Sequence, residues 1–100
     1  MKFVELDAKA FKTKVMSHKD NFLLDVREEY EYEDLNIGGQ NIPMGEVLSN
    51  LEVLKSKEDI YLICASGKRS KAVAYHLAKA LGNCNIYSCI GGIQAFTSLR

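Results

Sequence analysis

The sequence predicts an α/β domain with a small central parallel sheet of about five strands and helices on both of its faces. Strand patterns and helix patterns alternate through the whole length of 100 residues. The strongest strand candidates, residues 22–26 and 60–64, are nearly unbroken apolar runs, as is typical of parallel strands buried on both faces. Strands separated by helices are joined by right-handed crossovers, which place them in one parallel sheet.

The first part of the chain is predicted to begin strand, helix, strand. Residues 3–6 are a short strand candidate, and Asp7 is a suitable N-cap for a helix that runs to about residue 18. Residues 22–26 form the next strand. The strongly charged stretch 27–34 has room for at most a short helix.

Two elements are predicted before the central strand. Residues 41–43 form a short strand at a sheet edge, because Pro43 has no N–H group to donate within a sheet. Residues 45–55 are predicted to be helical, because their apolar residues have helical spacing: Val47, Leu48, Leu51 and Leu54.

The second half of the chain continues the alternation. Residues 60–64 are the predicted central strand, and residues 70–82 carry apolar side chains at the spacing of an amphipathic helix. Residues 86–90 are the last predicted strand. The pair Gly91-Gly92 then turns the chain into a final short helix over residues 93–99.

The composition is that of a single globular domain spanning residues 1–100. Thirteen basic residues balance thirteen acidic ones, so the basic excess expected of a nucleic-acid-binding protein is absent. No apolar stretch has the length of a membrane span, and the amino end lacks the apolar core of a signal peptide. We therefore expect a cytoplasmic protein with no nucleic-acid or membrane partner.

The three cysteines do not form the pattern of a disulfide scaffold or a zinc site. Their number is odd, and Cys84 and Cys89 lack a second cysteine pair or a nearby histidine pair. The sequence therefore predicts free thiols and neither a metal nor a cofactor. For Cys89, packing in the core is the expected role. A disulfide with Cys64, on a neighbouring predicted strand, remains the alternative.

Cys64 carries the strongest indication of chemistry. It stands at the carboxyl end of the predicted central strand, where parallel sheets place their ligand sites. A loop of small residues and then a helix start follow, with Lys68 and Arg69 close by. Main-chain N–H groups, the positive end of a helix and nearby cations all favour the thiolate, which is the nucleophilic form of cysteine.

Four segments, in this order, carry a resemblance to the single-domain rhodaneses, a family of sulfurtransferases. They are Leu24-Asp25-Val26-Arg27-Glu28, Asn41-Ile42-Pro43, Cys64-Ala65-Ser66-Gly67-Lys68-Arg69-Ser70, and a closing segment with Tyr87, Gly91-Gly92-Ile93 and Ala95-Phe96. The likeness runs from about residue 22 to residue 96. It implies the rhodanese-like fold, in which the strand ending at Cys64 lies between the strand ending at Asp25 and the last strand.

The resemblance also implies a chemistry, that of a thiosulfate sulfurtransferase. Cys64 takes a sulfur atom from a small anionic donor such as thiosulfate, holds it as a persulfide, and passes it to a thiol, to cyanide or to a protein thiol. The residues implied in substrate binding are those of the loop: Ala65, Ser66, Gly67, Lys68, Arg69 and Ser70. Their amides wrap the sulfur, Lys68 selects an anionic donor and Arg69 closes the loop.

The residues near the end of the preceding strand have two interpretations. Asp25, Arg27 and Glu28 either shape the floor of the pocket or form ion pairs that brace the loop.

Two other functional classes are alternatives to a sulfurtransferase. A cysteine phosphatase or arsenate reductase uses a similar loop, but with five residues between cysteine and arginine, where this chain has four. A persulfide relay or a regulatory binding module is the other alternative.

Overall fold

The structure is a computed structural model that describes residues 3–99 as a five-stranded sheet with helices on both faces. All strand pairs are parallel, and the strand order is β1-β5-β4-β2-β3. The strands are β1 (Val4–Leu6), β2 (Phe22–Asp25), β3 (Gln40–Asn41), β4 (Asp59–Ile63) and β5 (Asn85–Cys89). The predicted fold class is confirmed, and β4 lies between β2 and β5 as the resemblance implies.

Within residues 3–99, four α-helices and one 3-10 helix connect the strands, and a fifth α-helix follows the last strand. They are α1 (Ala8–Val15), α2 (Glu29–Asp34), the 3-10 helix (Met44–Asn50), α3 (Leu51–Leu54), α4 (Lys68–Ala80) and α5 (Gly92–Thr97). Within residues 3–99, no helix has both the length and the apolar character needed to cross a lipid bilayer.

Two helix predictions need correction. The helix expected over residues 45–55 is mostly a 3-10 helix, followed by a single α-turn. Its sequence includes Gly45, Ser49 and Asn50, which are poor α-helix formers, and the Asn50 side chain donates to the carbonyl of Glu46 at 2.8 Å.

Helix α1 ends at Val15 and not near residue 18. Side-chain donors take over its last carbonyl groups. The Asn21 amide donates to the carbonyl of Lys14 at 2.8 Å, and the Ser17 hydroxyl donates to the same oxygen at 2.6 Å. Its amino end is as predicted, since the Asp7 carboxylate accepts from the N–H of Ala10 at 2.8 Å.

Strand β4 divides the core into two layers, because its side chains alternate between the two sheet faces. Ile60, Leu62 and Cys64 belong to one apolar cluster, which α3, α4 and the 3-10 helix cover through residues such as Leu54 and Leu77. The opposite face carries the second cluster, in which α1 and α5 cover the other side of β4: Ala8, Phe11, Val15, Tyr61, Ile63, Cys89 and Ile93.

A buried ion pair closes the carboxyl end of β2. The carboxylate of Asp25 has no solvent exposure, and it accepts from Nε and Nη2 of Arg27, with Nη2 at 2.9 Å. The same guanidinium donates to the carbonyl of Leu35 at 2.6 Å. Asn41 ties the carbonyls of Asp25 and Arg27 together through its side-chain amide. This network fixes the strand end and the turn that returns to β3.

Removing one member of this pair should destabilise the fold strongly. We expect Arg27→Met to lower the free energy of unfolding by about 3–5 kcal/mol, because it leaves the Asp25 carboxylate buried without its counter-charge. Urea denaturation at neutral pH measures the change. The double variant Asp25→Asn/Arg27→Met should lose less than the single one, and a single-variant loss below about 1 kcal/mol would contradict a structural role for the pair.

Candidate active site

Cys64 stands directly after the last residue of β4, at the edge of the sheet where β2 and β5 also end. The loop that follows is short. Helix α4 begins at Lys68 and not at the predicted Ser70, because the N–H of Lys71 already donates to the carbonyl of Gly67. Lys68 and Arg69 therefore lie in the first turn of a helix, and the loop proper has only Ala65, Ser66 and Gly67.

The sulfur atom of Cys64 accepts two main-chain hydrogen bonds. The N–H of Gly67 donates to Sγ at 3.1 Å, and the N–H of Ser70 donates to it at 3.3 Å. The hydroxyl of Ser70 lies 3.6 Å from Sγ and 2.8 Å from the hydroxyl of Ser88 on β5. The sulfur is therefore in contact with polar groups of the loop and of the amino end of α4.

Three other main-chain N–H groups beside Cys64 are unused. Among residues 3–99, the N–H groups of Ser66, Lys68 and Arg69 have no hydrogen-bond partner. Cys64 itself is fully buried, whereas Ser66 and Lys68 are exposed. The sulfur is therefore shielded from solvent in this structure.

Helix α5 donates main-chain hydrogen bonds to Cys64 and to the loop that follows it. The N–H of Ile93 donates to the carbonyl of Cys64 at 2.8 Å, and the N–H of Gln94 donates to the carbonyl of Ala65 at 3.2 Å. Gly92 permits this approach, because a Cβ atom there would lie 2.3 Å from the carbonyl oxygen of Cys64. These bonds turn the two loop carbonyls away from Sγ. The sequence predicted a turn at Gly91-Gly92 and a part of the family resemblance there, but no contact with the Cys64 loop. The signal for that contact was two glycines just after the last strand, at the same sheet edge.

Gly67 is the second point of close backbone packing. Its φ is +97°, in the left-handed region that favours glycine, and a Cβ atom would lie 3.0 Å from both the carbonyl oxygen of Cys89 and the nitrogen of Gly91. The left-handed residue brings its own N–H onto Sγ and starts α4. A side chain here would press on the turn after β5.

The side chain of Arg69 forms an ion pair with Glu31 of α2. Nη1 and Nη2 of Arg69 donate to the two carboxylate oxygens of Glu31 at 2.7 Å and 2.9 Å. These bonds lower the pKa of Glu31 from 4.5 to about 2, and the same contact raises the pKa of Arg69. Glu31 also accepts from the N–H of Glu28 at 3.0 Å.

Glu31 is a site residue that sequence reasoning missed. It lies 38 positions before Arg69, so its spacing carries no signal. Only its place shortly after β2, at the same sheet edge as Cys64, could have indicated it.

The structure separates the other predicted site residues. Lys68 is exposed and makes no ion pair within residues 3–99. Glu28 is also exposed, with its N–H bound to Glu31. Asp25 and Arg27 bind each other and the neighbouring turn, and the described hydrogen bonds do not link either side chain to residues 65–67. Their ion pair therefore braces the end of β2 and not the loop.

All three thiols are free. Cys64 and Cys89 belong to apolar clusters on opposite faces of the sheet, which disfavours a disulfide between them. Burial raises the pKa of the Cys89 thiol to about 11, and burial raises that of Cys84 to about 11 as well. Within residues 3–99, no group of three His, Cys, Asp or Glu side chains is placed to hold a metal ion.

Comparisons with known proteins agree with the fold. The family model for the rhodanese-like domain matches residues 7–99. A Bacillus subtilis protein described as "Putative sulfur carrier protein YrkF" is 38% identical over 94 residues, which is 93% of this chain and 50% of that protein. A second one, "Putative sulfurtransferase YtwF", is 32% identical, with 77% of this chain and 76% of that protein covered.

Solved structures show the same architecture. A rhodanese-related protein from Thermoplasma volcanium superposes with a TM-score of 0.78 at 29% identity, with 93% of this chain and 89% of that chain covered. This chain spans about half the length of YrkF, the curated relative with 38% identity.

The contact between Gly92 and the loop gives a first test of the site. We expect Gly92→Ala to lower the free energy of unfolding by more than about 2 kcal/mol, because the added methyl collides with the main chain of Cys64 and Ala65. Chemical denaturation measures this loss. Gly45→Ala is the matched control, since nothing lies within 4 Å of its added methyl, and it should change stability by less than about 1 kcal/mol. Equal effects of the two substitutions would refute the close packing.

The Glu31–Arg69 ion pair gives a pH-dependent test. The pKa of Glu31 is lowered from 4.5 to about 2, so the pair stabilises the fold above pH 4.5, and this contribution is lost as pH falls through that interval. We expect the native protein to lose about 1 kcal/mol more than Glu31→Gln between roughly pH 5 and pH 3, since partial exposure screens the pair. Parallel urea titrations would disprove the pairing if both proteins lost stability equally.

Proposed function

The chain belongs to the rhodanese-like family, and from that membership we propose that it is a sulfurtransferase that carries sulfane sulfur as a persulfide on Cys64. The donor is thiosulfate or a related persulfide, and the acceptor is a thiol or cyanide. The position of the Cys64 sulfur beneath the N–H groups of Gly67 and Ser70 is the observation that supports this proposal best.

The chemistry requires an anionic sulfur, and the surroundings of Cys64 favour one. Two N–H donors point at Sγ, and the positive end of the 13-residue helix α4 begins four residues after it. Such donors stabilise a thiolate without the solvent reorganisation that water would need. The proposed first step uses this thiolate as the nucleophile, with no separate general base.

In the first step, the Cys64 thiolate attacks the outer sulfur of the donor. With thiosulfate, the bond between the two donor sulfurs breaks and sulfite leaves with the electron pair, while a new S–S bond forms on Cys64. The added sulfur carries the negative charge. The unpartnered N–H groups of Ser66, Lys68 and Arg69 are the donors available to it.

In the second step, an acceptor thiolate or cyanide attacks the outer sulfur of the persulfide. The S–S bond on Cys64 breaks, and the Cys64 thiolate is restored within its two hydrogen bonds. The relative YrkF is described as a sulfur carrier protein, which supports transfer to a thiol on another protein as one use of this step.

The full burial of Sγ sets a condition on both steps. Cys64 has no solvent exposure, so a donor can reach the sulfur only when the residues that cover it move. Ser66, the middle residue of the loop, is exposed to solvent.

The site gives little support to the alternative of a cysteine phosphatase. A phosphatase of this type needs a carboxylic acid that can protonate the leaving alcohol. Glu31 is the carboxylate bound to the loop arginine, and its pKa near 2 keeps it ionised at neutral pH. Glu31 is therefore not available as the acid that a phosphatase would need.

Replacement of the nucleophile tests the proposal. Cys64→Ser should remove thiocyanate formation from thiosulfate and cyanide to the level of the uncatalysed reaction, because serine cannot carry a persulfide. Cys84→Ser is the matched control and should retain activity within about twofold, since that thiol lies in the loop before β5. Turnover that survives in Cys64→Ser would end the proposal, as would phosphate release from an aryl phosphate without any thiocyanate.

A further inference from the structure

The charges around Cys64 are balanced, which has a consequence for the donor. Within residues 3–99, four cations lie in the first turn of α4 or just after β2: Arg27, Lys68, Arg69 and Lys71. Arg27 is bound to Asp25, Arg69 to Glu31 and Lys71 to Glu5. The carboxylate of Glu28 also acts on Arg69, whose pKa it helps to raise. Four carboxylates thus oppose four cations, before the thiolate itself is counted.

Glu31 neutralises the positive charge of Arg69. Its two carboxylate oxygens accept from Nη1 and Nη2 of the guanidinium at 2.7 Å and 2.9 Å, the bidentate contact that arginine makes best. A sulfonate dianion near Arg69 would therefore meet a cation whose charge is already balanced and would be repelled by the Glu31 carboxylate. Lys68 is then the one cation of this set that makes no ion pair within residues 3–99.

We propose that Glu31 determines the class of sulfur donor: by occupying Arg69 it disfavours sulfonate-bearing dianions such as thiosulfate and favours alkyl persulfides. The reacting end of an alkyl persulfide carries at most one negative charge, which Lys68 can match. This inference rests on the proposed function and narrows its donor. Glu31 is a positioning residue in this scheme, because it acts through Arg69 and does not touch the donor.

The transfer from an alkyl persulfide is balanced without any further reagent. The Cys64 thiolate attacks the outer sulfur of RS–SH, the S–S bond of the donor breaks, and RS⁻ leaves with its electron pair. Cys64 then carries –S–SH, which retains the donor's proton, so one negative charge is present before and after. No oxidant or reductant is consumed.

The test measures how two donors load Cys64 in three proteins. The donors are thiosulfate and cysteine persulfide, and the readout is the second-order rate constant for adding one sulfur to the Cys64 peptide, followed by mass spectrometry. The proteins are the native chain, Glu31→Gln and Glu33→Gln. Glu33 is the matched control, because it is exposed on the same helix and makes no ion pair within the described residues.

The proposal predicts an effect that depends on both donor and residue. Glu31→Gln should raise the rate constant for thiosulfate on the order of tenfold, the scale of one hydrogen bond to a charged group. The rate constant for cysteine persulfide should change by less than about twofold in the same variant. Glu33→Gln should change the rate constant for neither donor by more than about twofold. A comparison within each donor cancels the difference in their intrinsic reactivity.

Other outcomes overturn the inference and identify what failed. If Glu31→Gln accelerates both donors alike or neither, Glu31 does not select the donor, although the proposed sulfur transfer stands. If no donor loads Cys64 in any of the proteins, the proposed function itself is wrong. If Glu31→Gln proves to be unfolded, Glu28→Gln replaces it, and a smaller rise for thiosulfate alone is then the required result.

Discussion

The hydrogen bonds from α5 to the loop carbonyls are the constraint on which the site depends. A loop that follows a strand could direct either its carbonyls or its N–H groups towards the cysteine. The N–H groups of Ile93 and Gln94 hold the carbonyls of Cys64 and Ala65 outward, and Gly92 lets the two backbones meet. The N–H groups of Gly67 and Ser70 can then face Sγ. The main-chain surroundings of Cys64, just after β4, are therefore set in part by the helix that follows β5.

Ion pairing forms the second layer of the site. Asp25 and Arg27 stabilise the end of β2 from within, while Glu31 and Arg69 join α2 to the start of α4 across the sheet edge. Both pairs use arginine, whose planar fork suits a carboxylate held in a fixed position. The pairs brace this edge of the sheet and balance the charge of the two arginines. Under the proposed function, the side chains that stabilise this edge would also influence which donor is used.

The sequence predicted the fold class, which the structure confirms, and it singled out Cys64, whose role stays a prediction. Apolar runs such as residues 60–64 and the alternation of strands with helices predict a parallel sheet, and a cysteine at a strand end marks the ligand edge. The resemblance supplied the strand order, which the structure confirms. These features are visible because they are local, or because they repeat with the period of a strand or helix.

Contacts between distant segments could not be predicted in this way. The bond between Glu31 and Arg69 and the support of the loop by Gly92 join segments that only the folded sheet brings together. Local competition explains the helix errors. Side chains of Asn21 and Asn50 bind carbonyls that an α-helix would otherwise use, and so shorten α1 and favour the 3-10 helix.

The most direct test of the account is a crystal structure of the protein after incubation with a sulfane-sulfur donor. We expect one additional sulfur atom bonded to Sγ of Cys64, within hydrogen-bond distance of the loop N–H groups, with the bonds from Ile93 and Gln94 to the loop carbonyls retained. An added sulfur on Cys84 or Cys89, or an unmodified Cys64 in protein that has turned over donor, would contradict it.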